Sequence, residues 1–167
     1  MAGTAGRRAT LVRLAMLPLA AVPFAARPQH AHEAVELPRI DDLRSIAAQM
    51  RRERVPLLLF FSTAGCPFCL EVRRNHLAPR LKDDAGGLLI REVEIASRRS
   101  FVALDGGTQT EAELAARFGV RRVPVVQLVD AKLAPLGKPL VGIDASGFYD
   151  SYLTAAIEEA QRAVRGQ

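Results

Sequence analysis

The chain's two cysteines stand three apart, in Cys66-Pro67-Phe68-Cys69. Two thiols at this spacing can close a small disulfide ring, and a cysteine thiolate is the nucleophile that opens a disulfide in another protein. The motif follows the continuous apolar run Pro56-Leu57-Leu58-Leu59-Phe60-Phe61, which reads as a strand buried on both faces. From Pro67 to about Lys82 the residues have helical character, and proline is tolerated in a first turn. The first sulfur therefore falls at an exposed helix N-terminus, where unpaired N–H groups and the positive end of the helix dipole favour the thiolate. Cys66 is the candidate nucleophile. Cys69, one turn deeper, is the candidate resolving thiol that attacks the mixed disulfide and releases the product. Pro67 and Phe68 are their immediate neighbours.

Three other uses of the pair compete with this one. A zinc site needs four ligands, and beyond the cysteines only His30, His32 and His76 are on offer. Covalent haem needs a histidine directly after Cys69, where Leu70 stands. A purely structural disulfide across so short a loop removes little chain entropy. We expect no metal and no cofactor.

The elements that must hold the pair can be read on either side of it. Asp41 or Asp42 caps a helix whose apolar face is Leu43, Ile46, Ala47 and Met50, ending before Pro56. A second strand spans 88–95, and 97–109, with Asp105-Gly106-Gly107, reads as a loop. Thr110 and Glu113 form a capping box for a short helix carrying Leu114 and Phe118, which Gly119 ends. Strands at 124–129 and 139–143 and an amphipathic helix at 148–164 complete the order α-β-α-β-α-β-β-α. Interleaved strands and helices predict a sheet covered on both faces, and the short 130–136 connection requires a hairpin, so the sheet is mixed.

With 49% hydrophobic and 25% charged residues, the composition is that of one globular domain and excludes disorder, collagen-like repeats and polytopic membrane proteins. The net charge of +5 is partly local: Arg7, Arg8 and Arg13 supply three of the positive charges within residues 1–26, leaving +2 for the rest. That is no nucleic-acid footprint. Residues 14–26 are uncharged and apolar behind a basic stretch, which reads as a signal peptide. Its cleavage site is poorly marked by Phe24 and could fall as late as Ala31 or Ala34, and the uncleaved alternative is a membrane anchor. The expected organisation is a signal peptide at 1–26, a linker at 27–38 and a domain at 39–167. Outside the cytoplasm thiols tend to be oxidised, which agrees with a redox role for the pair.

The apolar strand, Cys66-Pro67-Phe68-Cys69, Phe118-Gly119-Val120, Arg121-Arg122-Val123-Pro124 and Val141-Gly142 occur in the order in which the thioredoxin superfamily carries its motifs. The chain resembles that superfamily, and more closely its exported bacterial thioredoxin-like proteins. The resemblance implies a thioredoxin fold of the α/β class, with a central mixed four-stranded sheet flanked by helices on both faces. It puts Pro124 at the family's cis-proline and implies that Val123 and Pro124 bind an extended substrate chain as an added strand. It implies a periplasmic thiol–disulfide oxidoreductase, acting as a monomer, that reduces disulfides in exported proteins and takes electrons from an inner-membrane thiol donor. A disulfide-forming oxidase or isomerase, or a non-redox binding module of the same fold, is the alternative.

The chain also departs from the family's cytoplasmic members. Their buried acid, six positions before the first cysteine, is Phe60 here, and the aromatic residue before that cysteine is Gly65. Glu92, near the family's lysine partner, is a candidate proton acceptor, against its reading as a surface glutamate on a sheet edge. Arg121 and Arg122 read as a solvated pair, with stabilisation of the thiolate or attraction of acidic partners as the alternatives.

Overall fold

The computed structural model describes residues 1–3, 36–82, 87–143 and 146–166. The chain divides into two units, Met1–Glu33 and Ala34–Gln167, and every element below belongs to the second. Apart from residues 1–3, the signal peptide expected at 1–26 lies outside the described residues, as do its alternative cleavage sites and the linker up to residue 35.

Helix α1, Leu43–Glu53, begins where Asp42 accepts the backbone N–H groups of Arg44 at 2.8 Å and Ser45 at 3.3 Å. It buries Leu43, Ile46, Ala47 and Met50, the face read from the spacing. Strand β1, Leu57–Ser62, is buried at all six positions because it lies inside the sheet with helices on both sides. Its alternation divides the core. Leu57, Leu59 and Phe61 join Ile46 and Met50 of α1, while Leu58 and Phe60 join a second cluster on the other face.

After β1 come α2, Pro67–Glu71, a π-helical stretch at Val72–Leu77 and α3, Ala78–Lys82. These are one helical run with a widened middle, over the span from Pro67 to Lys82 expected to be helical. Strand β2, Leu89–Glu94, lies parallel to β1 and pairs Glu92 with Phe60. Helix α4, Glu111–Arg117, starts at the Thr110–Glu113 capping box. Strand β5, Val125–Val129, runs antiparallel to β1, and β6, Leu140–Val141, antiparallel to β5. The sheet order is β2-β1-β5-β6. Helix α5, Tyr149–Arg165, packs Tyr149, Leu153, Ile157 and Ala160 into the second cluster with Cys69 and Leu77, while Leu114 and Ala115 of α4 join the first. The mixed four-stranded sheet with helices on both faces is therefore present. The last strand is shorter than the 139–143 expected.

The expected loop at 97–109 is instead largely a hairpin. Strands β3, Ser100–Val102, and β4, Thr108–Thr110, pair antiparallel around the Asp105-Gly106-Gly107 turn. Gly106 has φ +90, and Gly107 N–H donates to Asp105 Oδ1 at 2.8 Å. Phe101 is 4% exposed and anchors the hairpin in the first cluster.

Tyr149 couples the stability of this core to alkaline pH. Its ring is packed against His76, the centroids 4.8 Å apart. Its hydroxyl is buried with no hydrogen-bond partner among the described residues. Burial pushes its pKa up to about 12. A raised folded-state value means that the stability is intact below about pH 10, where the unfolded chain's tyrosine begins to ionise, and is lost as pH rises towards 12. Two pKa units correspond to about 2–3 kcal/mol. Tyr149→Phe is expected to match or exceed the wild type in denaturant unfolding at pH 8, since it removes an unpaired buried hydroxyl, and to lose less between pH 8 and 11. Parallel losses in the two proteins would show that Tyr149 does not govern alkaline unfolding.

Candidate active site

The head of β1 and the start of α2 are joined by Thr63-Ala64-Gly65. Gly65 has φ +72, with nothing within 4 Å of the place its Cβ would take. Backbone conformation, not lack of room, is what calls for glycine there. Cys66 is the N-cap of α2, and its Sγ accepts the backbone N–H of Cys69 at 3.1 Å. The sulfur thus occupies the place of a capping oxygen, a position that favours its anion when the bond is reduced. Pro67 opens the helix without a lost donor.

Cys66 and Cys69 form a disulfide with their Cα atoms 5.2 Å apart. The two sulfurs have different surroundings. Cys66 is half-buried, whereas Cys69 is 0% exposed among Phe60, Val72 and Tyr149 of the second cluster. Beside them Phe68 is 58% exposed and Leu70 40%, so apolar surface borders the accessible sulfur.

Val123 and Pro124 lead into β5, whose first residue, Val125, pairs with Phe61 near the end of β1. Val123 packs against both core clusters, including the one that holds Cys66 and Cys69, and Pro124 is buried. The Val123–Pro124 peptide bond is cis. Gly142 N–H donates to Pro124 O at 2.8 Å and ties the end of β6 to this segment.

Glu92 is not a surface residue, which corrects the reading favoured from the sequence. It is 5% exposed. Its carboxylate accepts from Arg73 Nε at 3.1 Å and also from Arg73 Nη2 and Ser62 Oγ. Arg73 also lies 5.9 Å from the Phe60 ring centroid. Phe60, six positions before Cys66, is itself fully buried. Glu92, on the neighbouring strand, spends both oxygens tying the active-site helix to the ends of β1 and β2. Sequence reasoning missed Ser62 and Arg73 as its partners. The available signal was weak: Arg73 falls four residues after Cys69, so it shares that helix face.

Of the histidines weighed as zinc ligands, His76 has Nδ1 3.0 Å from Asp150 Oδ1, and His30 and His32 lie outside the described residues. The Arg80 hydrogen bond, then that of His76, holds the Asp150 carboxyl below its usual range.

No family model and no curated protein matches this sequence. Among solved structures, the chain is similar to one describing the thiol resolving mechanism in yeast mitochondrial 1-Cys peroxiredoxin via glutathione and thioredoxin systems, with 12% identity, 75% of this chain and 97% of that chain covered, and a TM-score of 0.50. It is also similar to Trichomonas vaginalis thioredoxin, with 16% identity, coverage of 75% and 97%, and a TM-score of 0.48. A third structure, DsbH oxidoreductase, has 17% identity, coverage of 80% and 90%, and a TM-score of 0.49. At such identities the likeness is one of fold alone.

Proposed function

On this thioredoxin fold, we propose that the protein is a thiol–disulfide oxidoreductase that reduces disulfides in exported proteins. The observation that carries the reading is the asymmetry of the Cys66–Cys69 disulfide: one sulfur half-exposed at a helix cap and receiving an N–H, the other fully buried behind it.

In the reduced protein the Cys66 thiolate attacks one sulfur of a client disulfide. A Cys66–client bond forms, the client bond breaks, and the second client sulfur leaves as a thiolate that takes a proton. Cys69, deprotonated, then attacks Cys66 Sγ. This restores the Cys66–Cys69 bond and releases the first client sulfur. Two electrons pass to the client with two protons, and a dithiol donor must return them to the protein. Val123 and Pro124 are the proposed contact for the client backbone, which would lie extended beside them.

Reduction rather than oxidation is favoured by the plain form of the domain. Between β2 and α4 the described chain adds only the β3–β4 hairpin, with no helical insertion. The periplasmic setting and an inner-membrane thiol donor rest on the reading of residues 1–26 and on the family resemblance. No helix among the described residues is long and apolar enough to cross a membrane.

The test uses the reduced full chain and insulin as a disulfide-bonded client, with dithiothreitol as donor. Insulin reduction well above the rate with dithiothreitol alone is expected. A rate equal to that control would overturn the proposal.

A further inference from the structure

The segment that leads into Pro124 carries a feature that the exchange chemistry does not use. Helix α4 ends in a tight turn in which Gly119 has φ +66, Gly119 N–H donates to Ala116 O at 2.9 Å and Val120 N–H to Ala115 O at 3.0 Å. Val120 packs on the first core cluster and Val123 on both. Arg121 and Arg122 are therefore held on a two-residue span between anchored neighbours. Both are exposed, and neither makes a hydrogen bond or ion pair among the described residues.

They border a cleft of about 290 Å³ whose walls include Phe118, Val120, Val125 and Val141, and no acidic side chain lines it. One wall is the free edge of the sheet: β6 is its outermost strand, and Val141 is 61% exposed. The flank beside Thr63 and Ala64 differs in charge. There Glu36, Glu92 and Glu94 stand with Arg39 and Arg73, and the arginines are already engaged by carboxylates. Arg121 and Arg122 thus carry unpaired positive charge next to Val123, the residue that packs on the cluster holding Cys66 and Cys69.

We propose that this cleft selects clients with an acidic residue next to an apolar one in the segment flanking the reactive cysteine, Arg121 and Arg122 receiving the carboxylate and the apolar walls its neighbour. This rests on the function proposed above. An extended client chain at Val123 is one or two residues from both arginines, so a side chain beside the client's cysteine comes within their reach. A guanidinium presents a planar fork of donors that matches a carboxylate, and adjoining apolar walls reduce the screening water. The gain is expected in encounter and binding, hence in KM more than in kcat, and it should fade with salt as the Debye length shortens to about 3 Å at 1 M.

The test compares two disulfide-cyclised peptides that differ only in glutamate or lysine beside one cysteine, reduced by the full chain and by an Arg121→Glu/Arg122→Glu variant whose fold is checked by circular dichroism. The wild type is expected to favour the glutamate peptide about tenfold in kcat/KM at low salt, the size of a modest electrostatic steering effect. That ratio should approach one at 1 M salt and invert in the variant. Equal rates for the two peptides, or a preference that the double substitution leaves in place, would overturn the proposal. Uncharged 2-hydroxyethyl disulfide, given to the wild type, separates the two failures: if it is reduced while the peptides show no preference, only the selectivity falls, and if nothing is reduced, the exchange reading falls with it.

Discussion

Cys66→Ser is expected to abolish client reduction, whereas Cys69→Ser should stop after half a turnover with the client still attached. The difference follows from where the sulfurs sit. Only Cys66 has surface through which a client sulfur can approach, and its Sγ receives the Cys69 N–H, a contact that favours a thiolate over a thiol. Cys69 is 0% exposed and faces Phe60 and Val72, so it can attack only a sulfur already bonded to Cys66. Without Cys69 the mixed disulfide has no internal exit, and it should accumulate as one client per chain, visible on a non-reducing gel and released by dithiothreitol. Turnover by Cys66→Ser at more than the background rate, or a trapped adduct in that variant instead, would assign the nucleophile wrongly.

Glu111→Ala is expected to cost about 3 kcal/mol of stability, the lower end of what breaking a buried ion pair costs. Glu111 is 0% exposed at the start of α4. It accepts from Arg39 Nε at 2.9 Å and also from Arg39 Nη2, from Arg99 Nη1 at 3.4 Å, and from the Glu94 N–H at 3.4 Å. Arg99 also donates to Ile40 O at 2.6 Å. One carboxylate thus joins the segment before α1, the end of β2 and the approach to the β3–β4 hairpin. Its removal leaves Arg39 with only Glu94, 3.8 Å away, and Arg99 with only the exposed Asp41 as carboxylate partners. The lower end applies because the side chains of Arg39 and Arg99 keep 31% and 37% exposure and can draw on water. For a domain of this size the midpoint of thermal unfolding should fall by about 10 °C. A fall of less than about 2 °C would show that the cluster is solvated rather than structural.

The features legible in the sequence were those whose cause is local. The spacing of Leu43, Ile46, Ala47 and Met50 is itself the reason that α1 has a buried face, and Thr110 and Glu113 cap α4 through contacts three residues long. The cysteine pair was legible for the same reason, since the apolar strand, the short loop and Pro67 place Cys66 at a cap. What could not be read depends on pairings distant in the chain. Arg39 meets Glu111 across 72 positions, and Glu92 is buried because Ser62 and Arg73, 30 and 19 positions away, supply its donors. A glutamate on a strand shows neither partner. The β3–β4 hairpin had a local signal in Asp105-Gly106-Gly107 between β-forming residues, but strands of three residues are too short for alternation to show. The π-helical stretch has no motif of its own among residues 72–77.

The central claim, that Cys66 and Cys69 are a reversible couple poised to reduce other proteins, is tested most directly by a glutathione redox titration of the full chain, with thiols trapped by alkylation at each poise. One two-electron transition is expected, in which both thiols appear together, with a midpoint near or below about −250 mV. A pair that never reforms its disulfide across the range would contradict the couple itself. A midpoint near about −120 mV would contradict its direction and make the protein a donor of disulfides.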